Sequence, residues 1–265
     1  MKDRILEHLP TDHPWRNFIH YESTITSTND VLKQMAAQGA PHGTVLIAGH
    51  QTKGRGRLGR TFLSPQNVGI YLSVLLRPSC SAEQLMHLTC AAGNAACDAI
   101  ESVAGIRPGI KWTNDIVCQK RKLAGILTEM VFGTMQKIDC AIIGIGINCN
   151  QSPGDFPEEI REIAGSLAMV SGKNIDRAAV AAAVIDAFAK MDADLLAEHD
   201  AIIVQYRKNC ITIGQDVSVV RGESVRYGKA LDVNENGGLI VAFQDGAVEV
   251  VSSGEVSVRG MYHYV

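Results

Sequence analysis

Gly54, Gly56 and Gly59 lie in the stretch Gly54-Arg55-Gly56-Arg57-Leu58-Gly59-Arg60, directly after the apolar run Thr44–Ala48, and together they spell G-x-G-x-x-G. On the end of a strand that pattern commits a chain to a doubly wound dinucleotide fold only under two conditions. A helix must open at the third glycine, and an acidic residue must follow about 20 positions on. Neither holds. Arg60-Thr61-Phe62-Leu63-Ser64-Pro65-Gln66-Asn67 has no helical period and is broken by a proline, and Pro78, Ser79 and Cys80 stand where the acid belongs. The loop has another use. Its glycines let the backbone turn sharply and approach a ligand, and its arginines are fork-shaped donors for phosphate or carboxylate. It suits an anion, foremost a nucleotide phosphate. A merely solvated basic loop is the bland alternative, which glycine-arginine alternation of this density disfavours.

The chain around it excludes several classes. Its 265 residues allow one large domain, or one large and one small, with ample core. A net charge of −3 argues against a general nucleic-acid binder. The seven cysteines, at 80, 90, 97, 118, 140, 149 and 210, form no C-x-x-C pair and are odd in number, so neither zinc nor a disulfide framework is indicated. Such usage fits a reducing cytoplasm. The N-terminus leads into no apolar signal region, and no run nears the roughly 18 apolar residues of a membrane span.

Along the chain, Ser27-Thr28-Asn29-Asp30 carries helix N-cap chemistry before Val31, Leu32, Met35 and Ala36, with Gly39 closing the segment. Thr44–Gln51 and Val68–Arg77 read as strands covered on both faces. Ser81 with Gln84 is a capping-box signature, predicting a long alanine-rich helix through Val103. Beyond Gly105–Gly109 come Ile110–Trp112, a turn at Thr113-Asn114-Asp115 and apolar Ile116–Cys118. Gln119-Lys120-Arg121-Lys122 then reads as a hairpin turn before Leu123–Val131, and Gly133-Thr134 as a turn into the strand Ile138–Asn148. Asp176 is the expected cap of an alanine-rich helix over Arg177–Glu198. From Asp216 onward short strands are expected at Val217/Val219, Leu239–Val241, Val248–Val250 and Val256–Val258, with turns at Asn236-Gly237 and Asp245-Gly246. This pattern predicts a small β-barrel appended to an α/β or α+β catalytic body.

Five polar stretches fall at strand ends or loops, where sites concentrate. They are Ser27-Thr28-Asn29, Gln51–Arg60, Lys111-Trp112-Thr113-Asn114-Asp115, Arg121–Ile126 and Gly144-Ile145-Gly146-Ile147-Asn148. Each has a plain reading as well: a helix cap, a basic loop, a turn, a solvated hairpin lysine, and glycines that permit close packing.

Taken together in this order, they closely resemble the biotin–protein ligase family (biotin–acetyl-CoA-carboxylase ligase). The resemblance rests on STN at 27–29, HQTKGRGRLGR at 50–60, KWTND at 111–115, RKLAGIL at 121–127 and GIGIN at 144–148. GEVSVRG at 254–260 is similar to the close of that family's small C-terminal domain. The likeness extends from position 18 to the end. It implies a mixed-sheet α+β catalytic domain over 1–213, akin to class II aminoacyl-tRNA synthetases, and an SH3-like barrel over 214–265. It also implies two steps: biotin and ATP give biotinyl-5′-AMP and pyrophosphate, and a carrier-protein lysine then takes the biotin and releases AMP.

The same resemblance distributes the roles. Lys122, Arg57 and Asp115 match the catalytic positions, with Lys122 bridging the biotin carboxylate and the α-phosphate, Arg57 restraining the adenylate, and Asp115 orienting the ligands and serving as candidate ligand for Mg2+. Ser27, Thr28, Asn29, Gln51, Gly54, Arg55 and Gly125 join Arg57 and Lys122 on the biotin side. Arg60, Phe62, Lys111, Asn114 and Asn148 join them on the ATP side. Three departures leave the required groups in place: Phe62 where many members have Trp, Lys53 where a small residue is usual, and Thr113 for the proline of KWPND. The stretch before position 18 is too short for the winged helix-turn-helix domain of some members, so no DNA partner is expected, and no membrane. A biotin carboxyl carrier protein is the expected acceptor, and a homodimer is compatible with the family. A lipoate or octanoate ligase, and a non-catalytic biotin- or nucleotide-binding regulator, are the rival readings. From composition, the loop at 54–60 is expected to be mobile until the adenylate orders it.

Overall fold

The computed structural model describes residues 1–133 and 137–252, together with the backbone of 257–260. Two sheets organise them. The larger has seven strands: β1 (Ile19–Glu22), β2 (Thr44–Ala48), β3 (Gly69–Leu76), β4 (Gly109–Lys111), β5 (Asp115–Cys118), β6 (Arg121–Phe132) and β7 (Ile138–Asn148). They run in the order β1-β2-β3-β7-β6-β5-β4. β1 pairs parallel with β2 and every other neighbour is antiparallel, so the sheet is mixed.

Helices pack on both faces. Helix α1 (Lys2–His8) packs with α5 (Arg177–Asp194), and α3 (Leu88–Ala104) packs against α5 and α6 (His199–Asn209) on one side. There Ile143, Ile145 and Ile147 of β7 enter a core shared with Ala92, Ala96, Ile100, Val184 and Phe188. Alternation sends the next residues the other way. On that side α2 (Thr28–Ala37) packs Leu32 and Ala36 against Leu75 and Ile142. A single turn, α4 (Leu167–Ser171), follows β7, its Ser166 side chain accepting from the Met169 amide.

The second sheet is antiparallel, with β8 (Asp216–Arg221), β9 (Ser224–Val233), β10 (Leu239–Phe243), β11 (Val248–Val251) and β12 (Ser257–Gly260) in the order β11-β10-β9-β8-β12. Its inward residues Val217, Ala230, Val233, Leu239 and Val241 belong to the main core. The expected turns form, with Gly237 at φ 80° and Gly246 at φ 90°, values that favour glycine. Of the expected features, Thr134 and positions 254–256 lie outside the described residues.

Three expectations change. The Ser81–Gln84 capping box forms both of its hydrogen bonds, yet it opens a short 3-10 turn and α3 begins only at Leu88. Leu85 and His87 are both buried, and two positions apart on an α-helix would point to opposite sides, so the chain tightens and re-aims there. The hairpin turn is Gln119-Lys120 alone, at φ 49° and 62°, the left-handed pair of a two-residue hairpin. Lys122 therefore stands on β6 rather than in the turn, paired with Val117. The helix after Asp176 stops at Asp194, four residues short of Glu198, and a separate helix, α6, follows.

Candidate active site

The face of the large sheet that carries α2 is bare at its centre. Gly144 on β7 pairs with Ser73 on β3, and Gly146 with Gly125 on β6, so small residues sit side by side on neighbouring strands. A cavity of about 560 Å³ opens above them. The missing side chains are functional space. A Cβ on Gly144 would overlap the Asn29 amide, and one on Gly146 would overlap the Phe62 ring. Glycine alternating along a buried strand was the sequence signal for this floor, and it passes as close packing until the neighbours are known.

At one end of the cavity the start of α2 brings Ser27, Thr28 and Asn29 together, all nearly inaccessible. Ser27 occupies the N-cap position, but its side chain makes no cap hydrogen bond and lines the cavity instead. Gln51 accepts from the Thr28 amide at 2.8 Å and the Thr28 hydroxyl at 3.1 Å, and donates to the Ser64 hydroxyl at 2.9 Å. Asn29 Oδ1 accepts from the Ser73 hydroxyl at 2.6 Å. These bonds fix polar side chains in a dry place, as recognition of a small polar ring requires.

The other end is cationic. Arg57, Arg60, Lys111 and Lys122 line it, with Asp115 the single carboxylate of the cavity lining, while Arg55 lines the cavity from the α2 side, paired with Asp30. In a protein of net charge −3, this is a locally positive cleft. Lys122 Nζ lies 2.7 Å from Asp115 Oδ1. The β5–β6 ladder, with its bulge at Ile116/Val117, sets the two side by side, and the Lys122 amide anchors the strand to Ile163 O at 2.7 Å. Asn114 knits this end together: its Nδ2 donates to Ile126 O at 2.9 Å, and its Oδ1 accepts from Arg57 Nη1 at 3.0 Å. Burial pulls the Arg57 guanidinium below the usual arginine range and the Arg60 charge adds to this, with Asp115 and Tyr206 acting in the opposite sense. It remains a cation at any working pH.

The glycine-arginine loop closes the cavity from above. Leu58 sits at φ 54°, ψ 38° beside Gly59 at φ 71°, consecutive left-handed residues that fold the loop back on itself. No helix follows, as the sequence required; Arg60 to Pro65 carries no helical turn and the chain then turns at Gln66–Val68, with Asn67 at φ 61°. Trp112 lines the same cavity and reaches the second sheet, its indole N–H donating to Gly237 O at 2.9 Å.

The structure thus gathers Ser27, Thr28, Asn29, Gln51, Arg55, Arg57, Arg60, Phe62, Lys111, Asn114, Asp115, Lys122 and Gly125 around one cavity. Gly54 and Asn148 are not part of its lining. Gly54 packs where a Cβ would collide with Phe62 O, so it shapes the loop. Asn148 is turned to Gly165 O at 2.9 Å and accepts from Gln151 at 3.1 Å, holding the segment after β7. Sequence reasoning missed Trp112, Leu127, Leu58 and Ile163 as lining residues, since apolar side chains carry no chemical signature.

Comparison with known proteins bears on the same stretches. Residues 21–148 match the biotin/lipoate A/B protein ligase family, and residues 212–259 match the biotin protein ligase C-terminal domain. The bifunctional ligase/repressor BirA of Bacillus subtilis is 36% identical over 88% of this chain and 72% of its own length. The biotin–[acetyl-CoA-carboxylase] ligase of Mycobacterium tuberculosis is 31% identical over 91% of this chain and 89% of its own. Among solved structures, the biotin protein ligase of Aquifex aeolicus in complex with biotin and ATP superposes with a TM-score of 0.74 at 31% identity, covering 91% of this chain and 98% of that one. Identity above 30% over nearly the whole chain, with the same fold, supports one conclusion: the chain belongs to the biotin protein ligase family.

Proposed function

We propose that this protein activates biotin with ATP to biotinyl-5′-AMP and passes the biotin to a lysine of a carboxyl-carrier protein. The observation that carries the reading is the Lys122–Asp115 pair at 2.7 Å, set with Arg57 at the cationic end of a cavity whose other end is a hydrogen-bonded polar cluster. A carboxylate and a triphosphate repel, so the first step needs cations that hold both at near-attack distance. Arg57, Arg60, Lys111 and Lys122 supply them. A biotin carboxylate oxygen attacks the α-phosphorus, the new O–P bond forms, and pyrophosphate leaves with its charge. Lys122, a compact ammonium on a flexible stem, can follow charge as it moves from carboxylate to phosphate. The uncharged amine of the acceptor lysine then attacks the anhydride carbonyl, AMP departs, and the amine proton is lost.

Asp115 fits a magnesium ion that arrives as the ATP complex. Magnesium in such sites takes one or two carboxylates, with substrate phosphates and water completing the shell. The described residues contain no cluster of three His, Cys, Asp or Glu that would form an all-protein site. When bound, the ion would neutralise the polyphosphate; Asp115 would orient it and hold Lys122 in place.

The polar end favours biotin over lipoate or octanoate. A ureido ring brings two N–H donors and a carbonyl to a pocket end lined by the polar groups of Ser27, Thr28 and Gln51, whereas an apolar acyl chain would strip water from those groups and offer no hydrogen bond in return. Free thiols at all seven cysteines support a reducing, cytoplasmic setting, and no helix among the described residues is long and apolar enough to cross a membrane. Lys122→Ala should lower biotin-dependent ATP–pyrophosphate exchange about 10²–10³-fold, the scale for losing one preorganised charge. Loss of less than about threefold would remove Lys122 from the reaction.

A further inference from the structure

Glu129 is a partly buried carboxylate on β6, its side chain 18% exposed, that does not line the main cavity. It lines a smaller cavity of about 320 Å³ that shares Arg55, Gly56, Arg57 and Leu58 of the glycine-arginine loop with the main one. Its Oε2 accepts from Asn29 Nδ2 at 2.7 Å, which fixes the orientation of that amide. Its Oε1 accepts from Lys33 Nζ at 2.6 Å and lies 3.2 Å from Arg55 Nη2. Asn29 in turn occupies the space above Gly144, on the cavity floor. One carboxylate therefore joins the floor of the pocket to the loop that roofs it. Asp30, at the start of α2, pairs with the same guanidinium through Nη1, but its side chain is more exposed, so solvent weakens that bond more. Burial alone would push the Glu129 carboxyl up. The hydrogen bonds from Lys33 and Asn29 and the charges of Lys33 and Arg55 outweigh this and hold it below the usual range, ionised at neutral pH.

We propose that Glu129 is a positioning residue that ties the glycine-arginine loop to the pocket floor through Arg55 and Asn29, and thereby sets how long the acyl-adenylate remains bound. The second half rests on the adenylation reading; the first half does not. The loop is also held by Arg57 on Asn114 and by backbone bonds, with the Phe62 amide donating to Gly54 O at 3.0 Å and the Gly56 amide to Arg60 O at 2.7 Å. Cutting the Arg55 end should free the side of the roof nearest α2, while Lys122 and Asp115 keep their pairing.

Trypsin cleavage after Arg55, Arg57 and Arg60 in the free protein tests the tie without substrate. The account expects cleavage in Glu129→Gln about fivefold or more faster than in wild type. Lys33→Met, which removes another partner of the same carboxylate without touching the loop, should cleave at the wild-type rate. Equal cleavage of wild type and Glu129→Gln, or equal acceleration by both variants, overturns the tie whatever the reaction is. Retention is read as the rate at which preformed biotinyl-adenylate escapes from each protein. It should rise about tenfold in Glu129→Gln and in Arg55→Met, with no more than about twofold further gain in the double variant. Additive effects would contradict action through Arg55. Should Glu129→Gln fail to fold, Glu129→Asp, which keeps the charge but draws it back from Arg55, must show the same faster cleavage and escape, and wild-type values there overturn the proposal. A wild type that forms no biotinyl-adenylate would sink the functional reading and the retention half together, while the cleavage result still decides the tie.

Discussion

At the scale of single residues, the site depends on what is missing from β7 as much as on what lines the cavity. Gly144 and Gly146 leave room that Asn29 and Phe62 occupy. Gly144→Ala would put a methyl group where the Asn29 amide lies, displacing a side chain bonded to Ser73 and Glu129. We expect biotin affinity, measured by calorimetry, to fall about tenfold or more (about 1.4 kcal/mol per tenfold) while the fold survives; unchanged affinity would mean that the floor yields without cost. The charged residues of this end were legible in the sequence, because Lys122, Arg57 and Asp115 have few uses as core. The placement of Lys122 was not. A charged run reads as a turn, and only the two left-handed residues Gln119 and Lys120 confine that turn to two positions and carry Lys122 onto a strand facing the cavity.

Among the elements, helix ends separate what local chemistry decides from what packing decides. Asp176 caps α5, its Oδ1 accepting from the Ala178 amide at 2.9 Å and the Ala179 amide at 3.4 Å. Removing it as Asp176→Ala should cost about 1 kcal/mol, read by chemical denaturation. Burial works against its charge, but the two amides, helped by Arg4 and His8, outweigh this and lower its pKa. A lowered folded pKa means that the contribution is present above the unfolded value of about 3.9 and is lost as pH falls through the folded one. The stability gap between wild type and Asp176→Ala should therefore be full at pH 6 and close below pH 4; a gap that widens in acid would contradict the assignment. Asp176 was readable because capping is local. Ser27 carried two readings, helix cap and biotin-side residue: it holds the N-cap position without a side-chain cap bond and lines the cavity, a division that cap chemistry alone does not report. The start of α3 was likewise displaced by the tertiary burial of Leu85 and His87, which no capping box can report. β1, β9 and α6 gave no distinctive signal: β1 is short, and β9 exposes Val225, Tyr227 and Leu231 in place of a clean alternation.

Across the whole molecule, the small sheet is joined to the active-site end. The Trp112 amide donates to the Thr212 hydroxyl at 2.9 Å and its indole to Gly237 O at 2.9 Å, in the turn between β9 and β10. Tyr206, fully buried, donates to Thr113 O at 3.0 Å. The Lys111–Asp115 motif is thus held from below by α6 and from the side by the second sheet. Trp112→Phe keeps an aromatic side chain but removes the indole N–H and part of the ring volume, and orphans the Gly237 carbonyl, at an expected cost of about 1–3 kcal/mol for the lost hydrogen bond. Because both sheets share one core, calorimetry should show a single transition at lower temperature; two separated transitions would mean the sheets are energetically independent. The sequence announced a strand-rich C-terminal region through its hairpin glycines, but not this contact, since nothing local pairs a tryptophan with a carbonyl 125 residues away. The most direct test of the central claim is pyrophosphate exchange into ATP with biotin, lipoate and octanoate, in wild type beside Lys122→Ala. The account predicts exchange with biotin alone, reduced about 10²–10³-fold in the variant. Exchange supported by lipoate or octanoate but not biotin, or by no acid at all, would contradict it.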